Sequence, residues 1–346
     1  MKRAASPGPA DPPPLKLRRS AEASAKAEAG HYVRLKSALQ GIAVRPRARR
    51  DVRGWRRRAV RLLVIWCAVC QLVTLRAAVP ARIVSTSPSI TETLFALGIG
   101  DRVVGVSTYC RYPEIVRTLP KVGSFLKPDA ELIARLRPEL VIVHAGPHDV
   151  VRQLGSLGMR SATVDSGTLP SVYSTIRAIG AAAGIADRAE GLVADLHRHL
   201  DRVRSAVAGR TRKKVLVIVG RRAGTLTDLV AVGRGSYLSD LVEIAGGSNV
   251  LDGSGLPEYP RISMETVIRL APDVVVDAGD MGDTPADRAR RETATLASWN
   301  AQTAVAAVRQ HGIHPVVSDA FVVPGPRVVE VADTLARWLH GVDVAK

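Results

Sequence analysis

Side chains able to do covalent or metal chemistry are few in this chain, and their spacing does not serve it. No GxxxxGK[ST] phosphate loop, GxSxG nucleophile turn or HExxH zinc helix occurs. His311 and His314 flank Gly312 in a helix-to-strand turn, where solvated imidazoles are the ordinary outcome. Cys67 and Cys70 form a CxxC, but inside an apolar run that suits neither redox nor zinc chemistry, and Cys110 stands alone. The GxG at 233–235 has no third glycine in register and reads as a turn. The chain therefore reads as a non-enzyme with no catalytic cofactor and no metal site. The residues that stand out are two carboxylates in matching surroundings, Glu131 and Glu265.

Those surroundings are an internal repeat. Residues 129–146 (DAELIARLRPELVIVHAG) and 263–280 (SMETVIRLAPDVVVDAGD) align without gaps at an offset of 134. They share Glu131/Glu265, Arg135/Arg269, Leu136/Leu270, Pro138/Pro272 and Val141/Val275. In each copy a polar cap opens a short helix with apolar residues on one face, and the proline ends it. A continuous β-branched run (140–143, 274–276) then makes a strand buried on both faces. A carboxylate in the first helical turn can simply complement the helix dipole, worth about 0.3–1 kcal/mol. One such group in each half also gives the molecule two equivalent acidic points.

Other segments duplicate more loosely. Strands are expected at 82–86 and 214–220, helices at 90–97 and 237–245 ending on Gly98 and Gly246, then helix and strand again at 151–157 with 161–164 and 304–310 with 315–318. Alternation of this kind predicts an α/β fold of two similar lobes, each a mostly parallel sheet flanked by helices. Between them, 186–209 lacks proline and sets Leu192, Leu196, Leu200 and Val203 at helical spacing. About 20 helical residues span roughly 30 Å, so one long rigid helix would join the lobes and leave little hinge motion.

Charge and composition remove other classes. The 346 residues carry 49 Lys/Arg against 32 Asp/Glu, but residues 1–80 hold 18 and 4 of these, and residues 81–346 hold 31 and 28. The basic excess belongs to the N-terminal stretch, so the body is not a nucleic-acid binder. Residues 1–58 have no apolar periodicity and read as a disordered basic extension or an over-long gene start. Arg56-Arg57-Arg58, an uncharged run of 14 from Leu62 to Leu75, and Arg76-Ala77-Ala78 have the form of a signal peptide, 59–79, too short for a span of about 20 residues. The mature body is expected in the periplasm. Cys70 is a weak candidate for lipid attachment, because Cys67 and Val69 are unusual neighbours for one. The expected organisation is 1–58, 59–79, a first lobe 80–185, a linker helix 186–212 and a second lobe 213–346.

Four segments at consistent spacing carry a resemblance: VVGVSTYCRYP (103–113), VGSFLKPDAELIARLRPELVIV (122–143), LPEYPRISMETVIRLAPDVVV (256–276) and PVVSDAFVVPGPRVVE (315–330). Through them the body, roughly 80–342, resembles the helical-backbone branch of periplasmic solute-binding proteins of ABC importers, most closely the cobalamin-binding members. The resemblance implies a ligand in a cleft between the lobes, held by loops at the strand ends. Carried onto this sequence, the ligand residues are Tyr109, Phe125 and His144 in the first lobe, and Tyr259, Asp319 and Phe321 in the second. A corrin is a wide apolar disc fringed with amides, which aromatic faces and a few hydrogen-bonding groups suit. Glu131 and Glu265 become docking points for Arg-lined pockets on a two-fold permease, the binding protein itself acting as a monomer. Two departures bear on the ligand: His144 replaces what is usually a larger aromatic, and Phe321-Val322-Val323 lacks the family's basic residue. Haem or a ferric siderophore is the alternative, with Tyr109, His144 and Tyr259 as iron ligands or Arg221, Arg222 and Arg261 facing an anionic chelate. Trp299 and Trp338 fall on helix-like segments and read as packing. An exported structural or signalling module is the third possibility.

Overall fold

Short β-branched runs have no polar face, so they are stable only where both sides of the sheet are covered. The computed structural model builds them that way. It describes residues 80–146, 149–253, 255–279 and 285–344; the extension 1–58, the signal peptide 59–79 and Cys67 and Cys70 lie outside the described residues. The first sheet holds β1 (Ile83–Ser85), β2 (Val103–Val106), β3 (Leu140–His144) and β4 (Ser161–Val164) in the order β2-β1-β3-β4. All its pairings are parallel, as the alternation required. Around it lie α1 (Pro88–Ala96), α2 (Ala130–Arg135), α3 (Val150–Ser156) and α4 (Leu169–Ala182).

The long helix follows as α5 (Ala186–Ala206). Its buried residues, Ala189, Val193, Leu196, Leu200 and Val203, alternate steps of four and three and make one apolar stripe. The second sheet comprises β5 (Lys213–Gly220), β6 (Leu229–Ala231), β7 (Gly247–Asn249), β8 (Arg261–Ile262), β9 (Val274–Asp277) and β10 (Ile313–Pro315). Its order is β10-β9-β5-β6-β8, with β7 also paired to β5. β10, β9, β5 and β7 run parallel, whereas β6 and β8 are antiparallel additions. Strands of two or three residues show no period of their own, so these additions had no signature. The helices of this half are α6 (Tyr237–Ile244), α7 (Met264–Leu270), α8 (Pro285–Asn300), α9 (Ala306–Arg309) and α10 (Val328–His340). The strand expected at 315–318 lies earlier, at 313–315, on the edge of the sheet, where the missing N–H of Pro315 costs no ladder bond: Val316 N–H still donates to the Asp277 carbonyl at 2.8 Å.

The repeat is reproduced to the level of single caps. Asp129 accepts hydrogen bonds from the N–H groups of Glu131 and Leu132 at 3.0 Å, and Ser263, its counterpart 134 residues on, accepts from Thr266 at 3.3 Å. Both helices end in a left-handed residue just before the proline, Arg137 (φ 48°) and Ala271 (φ 45°). A non-glycine residue there costs about 1–2 kcal/mol, and both copies carry the cost.

One continuous cluster of buried apolar side chains runs from Ile83 through Leu196 and Leu200 of α5 to Leu335 of α10. The helix is thus packed into a core common to both sheets, and the His199 Nε2 also pairs with Asp333 of α10 at 2.8 Å.

Candidate functional site

Ligands of open α/β sheets lie beyond the carboxyl ends of the strands, so the loops there come first. After β2, the loop carrying Tyr109 is tied to the loop carrying Phe125: Thr108 N–H donates to the Gly123 carbonyl at 2.9 Å. Gly123 has φ 93°, and a Cβ there would lie 2.6 Å from the Lys127 carbonyl oxygen, so glycine is required for the loop carrying Phe125 to turn back on itself between 123 and 128. The result sets Tyr109 and Phe125 edge-to-face, centroids 6.2 Å apart. Tyr109 is 54% exposed and Phe125 42%. Large aromatic surface left open in a chain with 4% aromatics is informative.

His144 ends β3 beside the N-terminus of α1. Its Nε2 lies 2.8 Å from the Ser87 hydroxyl and 3.1 Å from that of Ser89. Burial lowers its pKa, with the Val164 backbone and the Asp165 charge acting the other way, so the ring is neutral at pH 7. The ring is half-buried and bonded to two hydroxyls rather than open as an axial donor.

In the second half, Tyr259 is 40% exposed and its hydroxyl lies 3.1 Å from that of Ser236, the N-cap of α6. Burial raises the Tyr259 pKa, keeping the phenol protonated. Its loop closes over Gly233, where a Cβ would meet the Pro257 carbonyl oxygen at 2.5 Å. Asp319 opens a 3-10 turn after β10 and pairs with Arg327 at 2.9 Å. Two expectations need correction. Phe321 does not present the open face expected of it: it is buried, stacks on Trp338 at 5.7 Å, and its carbonyl accepts from the Tyr237 hydroxyl. Arg221 does not face a chelate: it is buried and its Nε donates to Asp277 at 3.0 Å. Asp277 also accepts from Trp299 Nε1 at 2.7 Å and from Gly279 N–H at 2.8 Å. That cluster locks the ends of β5 and β9 to α8 and makes Trp299 a packing residue, as read from the sequence. Arg222 and Arg261 are exposed, Arg222 paired with Asp228 at 2.8 Å.

The residues that sequence reasoning missed join the two halves. Arg327, next to α10, donates through Nε to Glu92 of α1 at 2.9 Å and through Nη2 to the other oxygen of that carboxylate. It holds Asp319 with Nη1 and lies 4.2 Å from the centre of the Tyr112 ring. Burial pushes the Glu92 carboxyl up to about 7 against the lowering influence of Arg327. Burial also works against the charge on Arg327, but Glu92 and then Asp319 outweigh it and hold the guanidinium above its ordinary value. A signal existed: Glu92 is the single charge between Arg82 and Asp101, and Arg327 the single charge between Asp319 and Glu330.

Glu131 and Glu265 are both exposed in the first turns of α2 and α7. Glu265 accepts from the Ser263 hydroxyl at 2.6 Å, while the Glu131 carboxylate makes no ion pair among the described residues. A groove of about 380 Å³ lies where α4, α5 and α6 meet, lined by Tyr173, His197, Asp240 and Glu243 among others and by none of the candidate ligand residues. Among the described residues there is no His/Cys/Asp/Glu group able to hold a metal, and no helix long and apolar enough to cross a membrane.

Comparison with known proteins agrees with this anatomy. The periplasmic binding protein family model matches residues 83–301. An ABC transporter substrate-binding lipoprotein of Bacillus subtilis, itself uncharacterized, is 27% identical over 270 residues, covering 75% of this chain and 80% of its own. A vitamin B12-binding protein of Salmonella typhimurium is 30% identical over 204 residues, 58% of this chain and 74% of its own. The crystal structure of a periplasmic heme-binding protein from Pseudomonas aeruginosa superposes with a TM-score of 0.64 at 27% identity, over 76% of this chain and 94% of that one. Matched across more than half its length and sharing this doubled α/β fold, the chain belongs to the periplasmic binding proteins, substrate-binding subunits of ABC importers rather than enzymes, in the cobalamin, haem and siderophore branch.

Proposed function

We propose that the protein is exported to the periplasm, binds cobalamin or a related corrinoid in a cleft between its two lobes, and delivers it to a two-fold ABC permease. The observation that carries the ligand class is the open aromatic surface at the strand ends: Tyr109 and Phe125 edge-to-face in one lobe and Tyr259 in the other. These faces suit a broad apolar disc, and the Tyr259 and Ser236 hydroxyls suit its amide fringe. The named likeness to vitamin B12-binding proteins supports the same ligand. Asp319 contributes at the edge of the site while it is held by Arg327. His144, bonded to Ser87 and Ser89, shapes the first-lobe wall. Visible spectroscopy and calorimetry with cobalamin, cobinamide and haemin test this choice; retention of haemin with no corrinoid binding would overturn it.

Haem is the second reading, and one observation favours it. The Tyr109 hydroxyl has no hydrogen-bond partner among the described residues and is free to ligate iron. For delivery, Glu131 and Glu265 offer one exposed carboxylate per lobe at equivalent positions. Paired contacts with Arg on a two-fold permease would set register as well as add affinity. The protein works as a monomer in this scheme, so that a single copy spans both permease halves.

A further inference from the structure

We infer that the groove where α4, α5 and α6 meet is a second binding site, which takes a primary ammonium carried on a small apolar body. It is separate from the proposed cleft, whose candidate residues do not line it. The inference therefore does not depend on which macrocycle the protein carries. At about 380 Å³ the groove falls at the lower end of the range for small-molecule sites. Its walls come from the first-lobe helix α4, the linking helix α5 and the second-lobe helix α6. Leu169, Leu200 and Ile244 are its buried apolar part.

Charge in the groove does not balance. Arg204 pairs with Asp201, and Arg212 pairs with Glu243 at 3.0 Å. Asp240, one turn before Glu243 on α6, makes no ion pair among the described residues and accepts from the Leu169 N–H that opens α4. Burial raises its pKa against that hydrogen bond, with Glu243 and Asp252 adding to the rise. A cation from solution would relieve it. Tyr173 points to the same ligand independently. It is 8% exposed and lies against His197, centroids 4.1 Å apart, yet its hydroxyl has no hydrogen-bond partner among the described residues. Native proteins leave few such groups unpaired. Burial keeps this phenol protonated, with Arg204 acting the other way and Asp201 and Asp240 reinforcing it, so those charges share its surroundings. An ammonium donates one N–H to the phenol oxygen and a charge-assisted one to Asp240. A hard metal ion needs about six oxygen ligands, more than these two groups supply. The apolar wall suits an organic body instead.

The test titrates the full-length protein with phenethylamine, phenethyl alcohol and phenylpropanoate, which share an apolar body and differ in charge. Saturation-transfer NMR and calorimetry follow binding, and only the amine should saturate. Asp240→Asn keeps an acceptor for the Leu169 N–H while removing the charge, and should weaken the amine by about tenfold or more. Tyr173→Phe removes only the unpaired hydroxyl, and should weaken it by about three- to tenfold with the melting temperature unchanged. Tyr109→Ala, in the cleft, should leave amine binding as it is. Equal binding of the alcohol or the propanoate, or no saturable amine binding at millimolar concentration, would overturn the inference. So would wild-type affinity in either groove variant, or amine binding that Tyr109→Ala abolishes.

Discussion

Glu92 gives the sharpest prediction, because its burial and its partners push in opposite directions. It is enclosed on α1 and faces Arg327, Asp319 and Glu330, with the Tyr237 phenol nearby. One guanidinium therefore serves two carboxylates, and Glu92 is the deeper of the two. Its pKa is raised from 4.5 to about 7, so the folded state holds the proton more tightly than the unfolded chain does. The stability contributed by this group is then complete below pH 4.5 and is lost as pH rises through 7. That rise corresponds to roughly 3 kcal/mol across the window. Glu92→Gln keeps the shape and an acceptor for Arg327 and leaves that arginine balanced by Asp319 alone. Denaturant unfolding of both proteins from pH 4.5 to 8 measures the difference, in which the titration of all other groups cancels. The variant should match the wild type at pH 4.5 and exceed it by up to about 3 kcal/mol at pH 8. A difference that is flat with pH, or a variant less stable at pH 8, would refute the argument that desolvation outweighs the ion pair.

Asp277→Ala should cost about 3–5 kcal/mol in a thermal or denaturant melt, because it strands the buried Arg221 and frees the Trp299 N–H. Gly123→Ala should cost about 1–3 kcal/mol and also weaken ligand binding, since φ 93° and the Lys127 carbonyl oppose a Cβ at the hinge of the Tyr109–Phe125 pair. Glu131→Ala combined with Glu265→Ala should abolish uptake in cells while calorimetry shows unchanged ligand affinity; loss of both properties would indicate destabilisation instead.

What was legible in the residues follows from where patterns are local. The repeat at 129 and 263 announced α2, α7, β3 and β9, and even its polar caps do the expected work, because cap, stripe, proline and β-branched run all lie within 18 residues. The stripe of α5 was equally plain. The short β6, β7 and β8 were not, since their pairing is decided by β5 rather than by their own composition. The site divides the same way. Tyr109, Phe125 and Tyr259 could be singled out and stand open at strand ends, whereas Phe321, adjacent to a motif residue, turned into the core against Trp338. Glu92 and Arg327 lie 235 positions apart, and nothing local links them. Only the lone charge in each uncharged stretch hinted that burial would force a partner on both.

The proposed function requires that one flat macrocycle be captured between the two sets of strand-end loops. Titration of the purified protein with cyanocobalamin, cobinamide and haemin, repeated with Tyr109→Ala and Tyr259→Ala, tests it most directly. One-to-one corrinoid binding is expected, weakened by both substitutions, one from each lobe. Binding of haemin alone would contradict the corrinoid, and binding of none of the three, or binding indifferent to both tyrosines, would contradict the site itself.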